Sequence, residues 1–247
     1  VIQSVDRAVR ILFALQGARR MTLTELAAEL GLAAPTVHGI IRTLAAHGIV
    51  AQEHGGRRYQ LGPAVLRMGN VYLDTLELRS RSLTWAHELA HRTRRSVRVG
   101  VLSGDNIVII HHEPSPEGSR QMLELGIEIP AHASALGKAM LAFLPPVEQR
   151  ELRSMTGETI TSPEELAEQL QPTAASGLAY ENDEAVLGES AVAAAIFDRT
   201  GMVVGAIGVV LPTSDWPAPT SAIDAVRTTA QTISRELGSH RWPAPPP

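Results

Sequence analysis

Residues 22–44 read TLTELAAELGLAAPTVHGIIRTL, two short amphipathic helical patterns joined at Gly31. Thr22 and Glu25 stand at the T-x-x-E spacing of a capping box, where each side chain satisfies an orphaned backbone N–H of the other residue. Leu23, Leu26, Ala27 and Leu30 make the apolar stripe of the first helix, and Gly31 stops it. Pro35 suits the opening turn of the second helix, because its missing N–H has no partner there. Val37, Ile40, Ile41 and Leu44 then recur on one buried face. Thr36, His38, Gly39, Arg42 and Thr43 remain on the other side. Such a helix can lie in a DNA groove while its back packs on a small core.

The flanks extend this pattern. Ser4 is placed to cap a helix running to about Gln16, with Val5, Val9, Leu12 and Phe13 on its buried face, Ala8 and Ile11 beside it, and Gly17 ending it. After residue 44, Ile49–Gln52 alternates as a strand, Gly55-Gly56 makes a turn, and Arg57–Leu61 reads as the return strand. The sum is a winged helix-turn-helix over residues 1–62. Thr36, His38 and Arg42 are the donors placed to reach base edges, and Arg42 can fork onto guanine. Gly39 leaves the helix surface bare for close approach. Arg19, Arg20, Arg57 and Arg58 are placed to meet phosphate, setting affinity more than specificity. Thr24, Ala34, Pro35, Thr43 and Tyr59 complete the candidate DNA-facing set. The plainer readings are a surface histidine at His38 and solvated hairpin charge at Arg57 and Arg58.

Charge is distributed unevenly. Residues 1–70 hold eight arginines against four acids, a balance of +4, whereas residues 96–247 hold nine Lys/Arg against nineteen Asp/Glu, a balance of −10. Only the basic front suits a polyanion, because the acidic back repels one. The absence of cysteine excludes disulfides and thiolate metal sites and fits a reducing cytoplasm. No apolar run is long enough for a membrane helix, and no signal peptide opens the chain, so the expected location is cytoplasmic with no membrane partner. Phosphate-binding glycine loops, G-x-S-x-G and H-E-x-x-H are absent, and no enzyme is expected. A catalytic or interaction module in the second half is the distant alternative.

Gly62-Pro63 opens a linker helix (63–79) with a stripe of Val65, Met68, Val71, Tyr72 and Leu76, broadened by Leu66, Leu73 and Leu78. This stripe either packs on its own domain or pairs with a second copy of itself. Pairing would place two recognition helices to read a palindrome. Residues 80–240 read as an α+β domain. A helix to about Arg95, with Leu83, Ala86, Leu89 and Ala90 inward, precedes strands at Val97–Leu102, Ile107–His112 and Gln121–Leu125. Helices follow at Ser134–Leu144 and Pro163–Leu170, then strands at Gly177–Glu181, Ala191–Phe197 and Met202–Val210, and a last helix at Ser221–Leu237. The implied architecture is an antiparallel sheet with helices on one side. The proline-rich tail, 241–247, is expected to be disordered.

Collinear segments across the chain carry a resemblance. SVDRAVRIL (4–12), TLTELAAELGL (22–32), TVHGIIRTLAAHGIV (36–50), RRYQLGPAVLRMG (57–69), HASALGKAMLAFLP (132–145) and SAVAAAIFDRTGMVVGAIGV (190–209) resemble the IclR family of bacterial transcriptional regulators. Within it, residues 69–85 and 107–126 look most like regulators of glycerol-catabolic operons. The resemblance implies a winged helix-turn-helix, a linker helix and a GAF-like effector domain. It implies dimers or tetramers on double-stranded operator DNA, repressing a catabolic operon under control of a small metabolite. Glycerol or glycerol 3-phosphate is the implied effector, with small organic or aromatic acids as the alternative.

By position, the resemblance puts Ser134, Ala135, Leu136 and Gly137 on one wall of an effector pocket, with helix-start amides suited to an anion. Glu181, Ala191, Ala193, Gly208 and Val210 make the opposite wall, and Met122, Leu123 and Ile129 close it. The chain departs from the family pattern at Ala191, where cysteine is usual, and at Gly208 and Val210, where small hydroxyl residues are common. The sheet wall is therefore expected to be less polar. A phosphate-bearing ligand would need Arg120, Lys138 or Arg98 for its charge, although Lys138 reads equally well as a solvated lysine on an outer helix face. No cofactor is implied. His111, His112, Glu113 and His132 are the only cluster resembling metal ligands. Adjacent strand residues point to opposite faces, so these are read as core or pocket-lining groups and no metal is expected.

Overall fold

The computed structural model describes residues 1–117, 123–145 and 152–243. The chain divides into two units, Val1–Thr75 and Leu76–Pro247. In the first, α1 (Gln3–Ala18), α2 (Leu23–Leu30) and α3 (Ala34–Ala46) enclose Ile11, Leu15, Leu26, Val37 and Ile41. The capping box forms as read: the Glu25 amide donates to the Thr22 hydroxyl, and the Thr22 amide donates to the Glu25 carboxylate. Gly31 closes α2 in the left-handed conformation that glycine adopts without strain. The wing strands β2 (Val50–Gln52) and β3 (Arg58–Leu61) pair antiparallel, and β1 (Met21–Thr22) joins the far side of β3.

Helix α1 departs from expectation. It starts after Ile2 with no side-chain cap, carries Ser4 inside it, and continues through Gly17 to a terminus at Arg19. Its core-facing residues are Ile11 and Leu15, while Val5, Val9 and Phe13 face solvent. The helix carries two apolar stripes, and periodicity cannot say which one meets the core. The helix α4 (Pro63–Thr75) stops short of the expected terminus, and α5 (Glu77–Thr93) begins after Leu76 in extended conformation. Within α4, Leu66, Met68, Val71 and Tyr72 are exposed. Its stripe is therefore not packed on its own domain.

The second unit is built on a six-stranded antiparallel sheet in the order β6-β5-β4-β9-β8-β7. These strands are β4 (Ser96–Ser103), β5 (Asn106–Glu113), β6 (Glu128–Pro130), β7 (Leu178–Asn182), β8 (Glu189–Phe197) and β9 (Val203–Pro212). Helices cover both faces rather than one. Ala206 of β9 joins the cluster under α6 (Ala135–Leu141), whereas a Cβ at neighbouring Gly205 would strike Leu78 of α5, so α5 lies on the opposite face. The helix α8 (Thr220–Glu236) packs beside α5. Leu83, expected inward on α5, is partly exposed, while Leu78, Ser82, Ala86, Leu89 and Ala90 are buried.

Three further expectations are corrected. The strand expected at Gln121–Leu125 lies partly outside the described residues, and Leu123–Leu125 are not strand; β6 takes that place beside β5. Leu123 and Leu125 alternate in sequence but are exposed, so alternation here marks no buried face. The helix α7 runs Pro163–Ser176, past Pro172, which removes only one ladder hydrogen bond. In the expected tail, Trp242 packs against the core cluster and its indole N–H donates to the Ala195 carbonyl at 2.8 Å.

The α6 region is the tightest part of this unit. A Cβ at Gly137 would stand 2.1 Å from the Ala131 carbonyl oxygen, so glycine is required where α6 crosses the preceding 3-10 turn, Ala131–Ala133. Lys138 is 1% exposed and is not a solvated surface lysine. Its ammonium donates to Glu184 at 2.6 Å and to Gln169 of α7 at 2.8 Å. Replacing one member, as in Lys138→Met or Glu184→Leu, should cost about 3–5 kcal/mol, because the other charge stays buried without its counterion. The double variant should recover most of that loss in urea unfolding. Additive losses would show that the two side chains act independently.

Candidate functional site

On α3, Ala34, Pro35, His38, Gly39, Arg42 and Thr43 are exposed together opposite the buried Val37, Ile41 and Leu44. Thr36 is half-buried at the margin of this face. The Thr43 hydroxyl donates to the Gly39 carbonyl one turn back, so its oxygen is partly committed. Thr24 on α2 is exposed, Tyr59 on β3 is half-buried, and Arg57 and Arg58 stand exposed where the wing turns back. The Gln52 amide donates to the Gly56 carbonyl and holds that turn. Arg20 pairs with Glu53 at 2.7 Å, and Arg58 lies 3.8 Å from Glu25. Both pairs are solvent-exposed and weak, so either arginine can exchange its carboxylate for a phosphate at little cost. Arg19 is exposed at the end of α1.

In the second unit a cavity of about 230 Å³ opens between the sheet and the start of α6. Ile129, Ser134, Ala135, Leu136, Glu181, Ala191, Ala193, Gly208 and Val210 line it as the resemblance implied. Its sheet floor is apolar and flat, for a reason of backbone packing: a Cβ at Gly208 would stand 2.7 Å from the Val192 carbonyl oxygen. Other expected residues lie elsewhere. Leu123 is 61% exposed, Gly137 packs against Ala131, and Lys138 faces a neighbouring groove with Gln169 and Glu184. Arg120 and Met122 lie outside the described residues. At the start of α6 the Gly137 amide donates to the Ser134 hydroxyl and the Lys138 amide to the Ser134 carbonyl, so these two amides are already used.

The polar chemistry comes from the rim, from residues that sequence reasoning largely missed. Arg98 of β4 donates through Nε and Nη2 to Glu124 (Nη2 at 2.8 Å) and through Nη2 to Glu189 at 3.1 Å. Burial works against its charge, yet the two carboxylates raise its pKa further above the ordinary arginine value. The Glu124 amide donates to His112 Nδ1 at 3.3 Å, which requires that nitrogen to be unprotonated. Burial lowers the His112 pKa and favours this neutral form. Glu181 accepts the amides of Glu184 and Ala185 on one oxygen and is pushed up to about 7 by burial. Glu128, Ile127, Pro130, Met155, Ala185, Val186 and Val209 complete the lining. Glu124, Glu128 and Glu189 sit at strand ends and in loops, where sequence spacing gives no hint that they converge.

The histidine cluster does not converge. His111 Nε2 lies 3.5 Å from Glu113, His112 faces Glu124, and His132 Nε2 contacts the Arg153 carbonyl at 3.0 Å. Among the described residues no group of three or more His, Asp or Glu is arranged to hold a metal ion.

Comparison with known proteins adds independent findings. Residues 4–54 match the IclR helix-turn-helix domain, and residues 70–235 match the C-terminal domain of bacterial IclR transcriptional regulators. The chain is 41% identical over 250 residues to the glycerol operon regulatory protein of Streptomyces griseus, covering 98% of each chain. It is 39% identical, with the same coverage, to the glycerol operon regulatory protein of Streptomyces coelicolor. Among solved structures it superposes on an IclR-type regulator from Silicibacter sp. TM1040 with a TM-score of 0.80 and 26% identity, covering 99% of this chain and 100% of that one.

The raised Glu181 carboxyl makes stability depend on pH in a defined direction. Between its ordinary value of 4.5 and about 7, the folded chain keeps a proton that the unfolded chain has released. Stability therefore falls as pH rises through that window and is flat above it. The loss is on the order of 3 kcal/mol. Glu181→Gln should remove this component, so urea unfolding of the variant and the parent chain should converge at pH 5 and separate at pH 8. Equal losses in both proteins would refute it.

Proposed function

The chain belongs to the IclR family of bacterial transcriptional regulators, and on that premise we propose that it represses a glycerol-catabolic operon. The observation that carries this reading is the match to two glycerol operon regulatory proteins over nearly the whole length of each chain. DNA is read by the exposed face of α3, with His38 and Arg42 on base edges and Thr36 at the margin. Arg19, Arg20, Arg57 and Arg58 meet phosphates. The effector occupies the cavity between β8, β9 and α6, and is glycerol or glycerol 3-phosphate.

The operator-bound form is a dimer, with tetramers as a further assembly. Support comes from two exposed apolar stripes: Val5, Val9 and Phe13 on α1, and Met68, Val71 and Tyr72 on α4, with Phe13 64% and Val71 65% exposed. Apolar surface of this extent on a small domain marks an interaction site. A second copy covering it would set two α3 helices about 34 Å apart, one turn of a palindromic operator. The effector then acts by binding one arrangement of the dimer better than the other, since equal affinity shifts nothing.

Arg42→Ala should weaken binding at one operator base pair by about 1–3 kcal/mol and relax discrimination there. Arg57→Ala should weaken binding to every sequence and reduce the slope of log affinity against log salt by about 0.9. Fluorescence anisotropy on operator and scrambled duplexes separates the two; a uniform loss for Arg42→Ala would remove its base-reading role. Val71→Asp with Phe13→Asp should turn the dimer into monomers in sedimentation and weaken operator binding. Retention of the dimer would place the interface elsewhere.

A further inference from the structure

Resting on the effector-cavity reading above, we infer that the cavity selects an uncharged polyol and rejects its phosphorylated and carboxylated counterparts. Arg98 serves there to orient carboxylates, not to receive an anion.

Arg98 is the only cation lining the cavity among the described residues, and it is already committed. Three of its N–H···O contacts go to carboxylates, two to Glu124 and one to Glu189, and its side chain is only 14% exposed. Against this one positive charge the lining carries the carboxylates of Glu124, Glu128 and Glu189, while burial favours the neutral form of Glu181. Lys138, the nearest buried ammonium, is taken up by Glu184 and Gln169 in the adjoining groove. A phosphate or carboxylate would have to displace a carboxylate from Arg98 or lie among like charges, and both are costly in a partly desolvated site.

Hydroxyl groups face the opposite situation. Each can donate to an ionised carboxylate, a bond stronger than one between neutral groups. Glu124 is held from behind by His112 through its own amide, and Glu189 is held by Arg98, so both acceptors are fixed before a ligand arrives. Glu181 uses one oxygen on the amides of Glu184 and Ala185. Among the described residues its other oxygen has no protein donor. Ile129, Leu136 and Ala191 supply apolar surface for the carbon chain of a ligand. The volume of about 230 Å³ lies below the roughly 300–1,000 Å³ of ligand pockets in general. A three-carbon polyol is of the right scale.

Titration calorimetry on the full chain with glycerol, glycerol 3-phosphate and glycerate tests this. Glycerol should bind saturably, with the two anions at least ten-fold weaker. Ala191→Leu, which fills the floor, should abolish the glycerol heat. Glu189→Gln, which returns part of the Arg98 charge to the cavity, should shift the ratio of glycerol 3-phosphate to glycerol affinity toward the phosphate by about ten-fold or more. Tighter binding of glycerol 3-phosphate to the parent chain, or an unchanged ratio in Glu189→Gln, overturns the selectivity inference and leaves the operon reading standing. Binding of a keto or aromatic acid with neither three-carbon compound bound overturns both.

Discussion

The ammonium of Lys138, on a side chain only 1% exposed, is neutralised by Glu184, and this buried pair ties together parts of the second unit that are distant in sequence. An unpaired charge at that depth would cost several kcal/mol. The chain meets this by bringing Glu184 down from the β7–β8 connection and Gln169 across from α7. Two segments distant in sequence are thereby tied to α6. The consequence reaches the cavity between the sheet and α6: once Glu184 is held, its backbone and that of Ala185 donate to Glu181, and Glu181, Ala185 and Val186 become one wall.

A second constraint empties the cavity. On the α6 face of the sheet, β8 and β9 carry Ala191, Ala193 and Gly208, and the close approach of Gly208 to the β8 backbone admits nothing larger. The floor is therefore level and apolar. Binding chemistry is left to the rim, where Arg98, Glu124 and Glu189 form a three-membered charge network braced by His112. Small residues below and fixed carboxylates above thus give the cavity an apolar floor and an acidic rim.

The first unit solves a different problem with the same economy of side chains. Its core needs only one stripe of each helix, and the remaining apolar residues of α1 and α4 stay outside. An isolated domain gains nothing from that exposure, whereas a dimer does. Arg20 and Arg58 meanwhile rest on Glu53 and Glu25, which balances part of the charge around the wing.

The capping box at Thr22 and Glu25, the turn at Gly31 and the buried face of α3 were legible because they are set by contacts within a few residues, where spacing alone dictates geometry. The winged helix-turn-helix and most strands followed from the same local periodicity, and positional resemblance placed the Ala191, Ala193, Gly208 and Val210 floor. What spacing could not settle was which of two stripes on α1 meets the core, that helices cover both faces of the sheet, or that Trp242 folds back onto it. Nor could it place Lys138, whose charge argues for solvent until its partners at 169 and 184 are known. The convergence of Glu124 and Glu189 on Arg98 was equally hidden. Local sequence determined the elements and the exposed polar face of α3; only the tertiary structure decided the charge of the cavity, because ion pairs between distant residues depend on where the chain returns in space and not on any pattern along it.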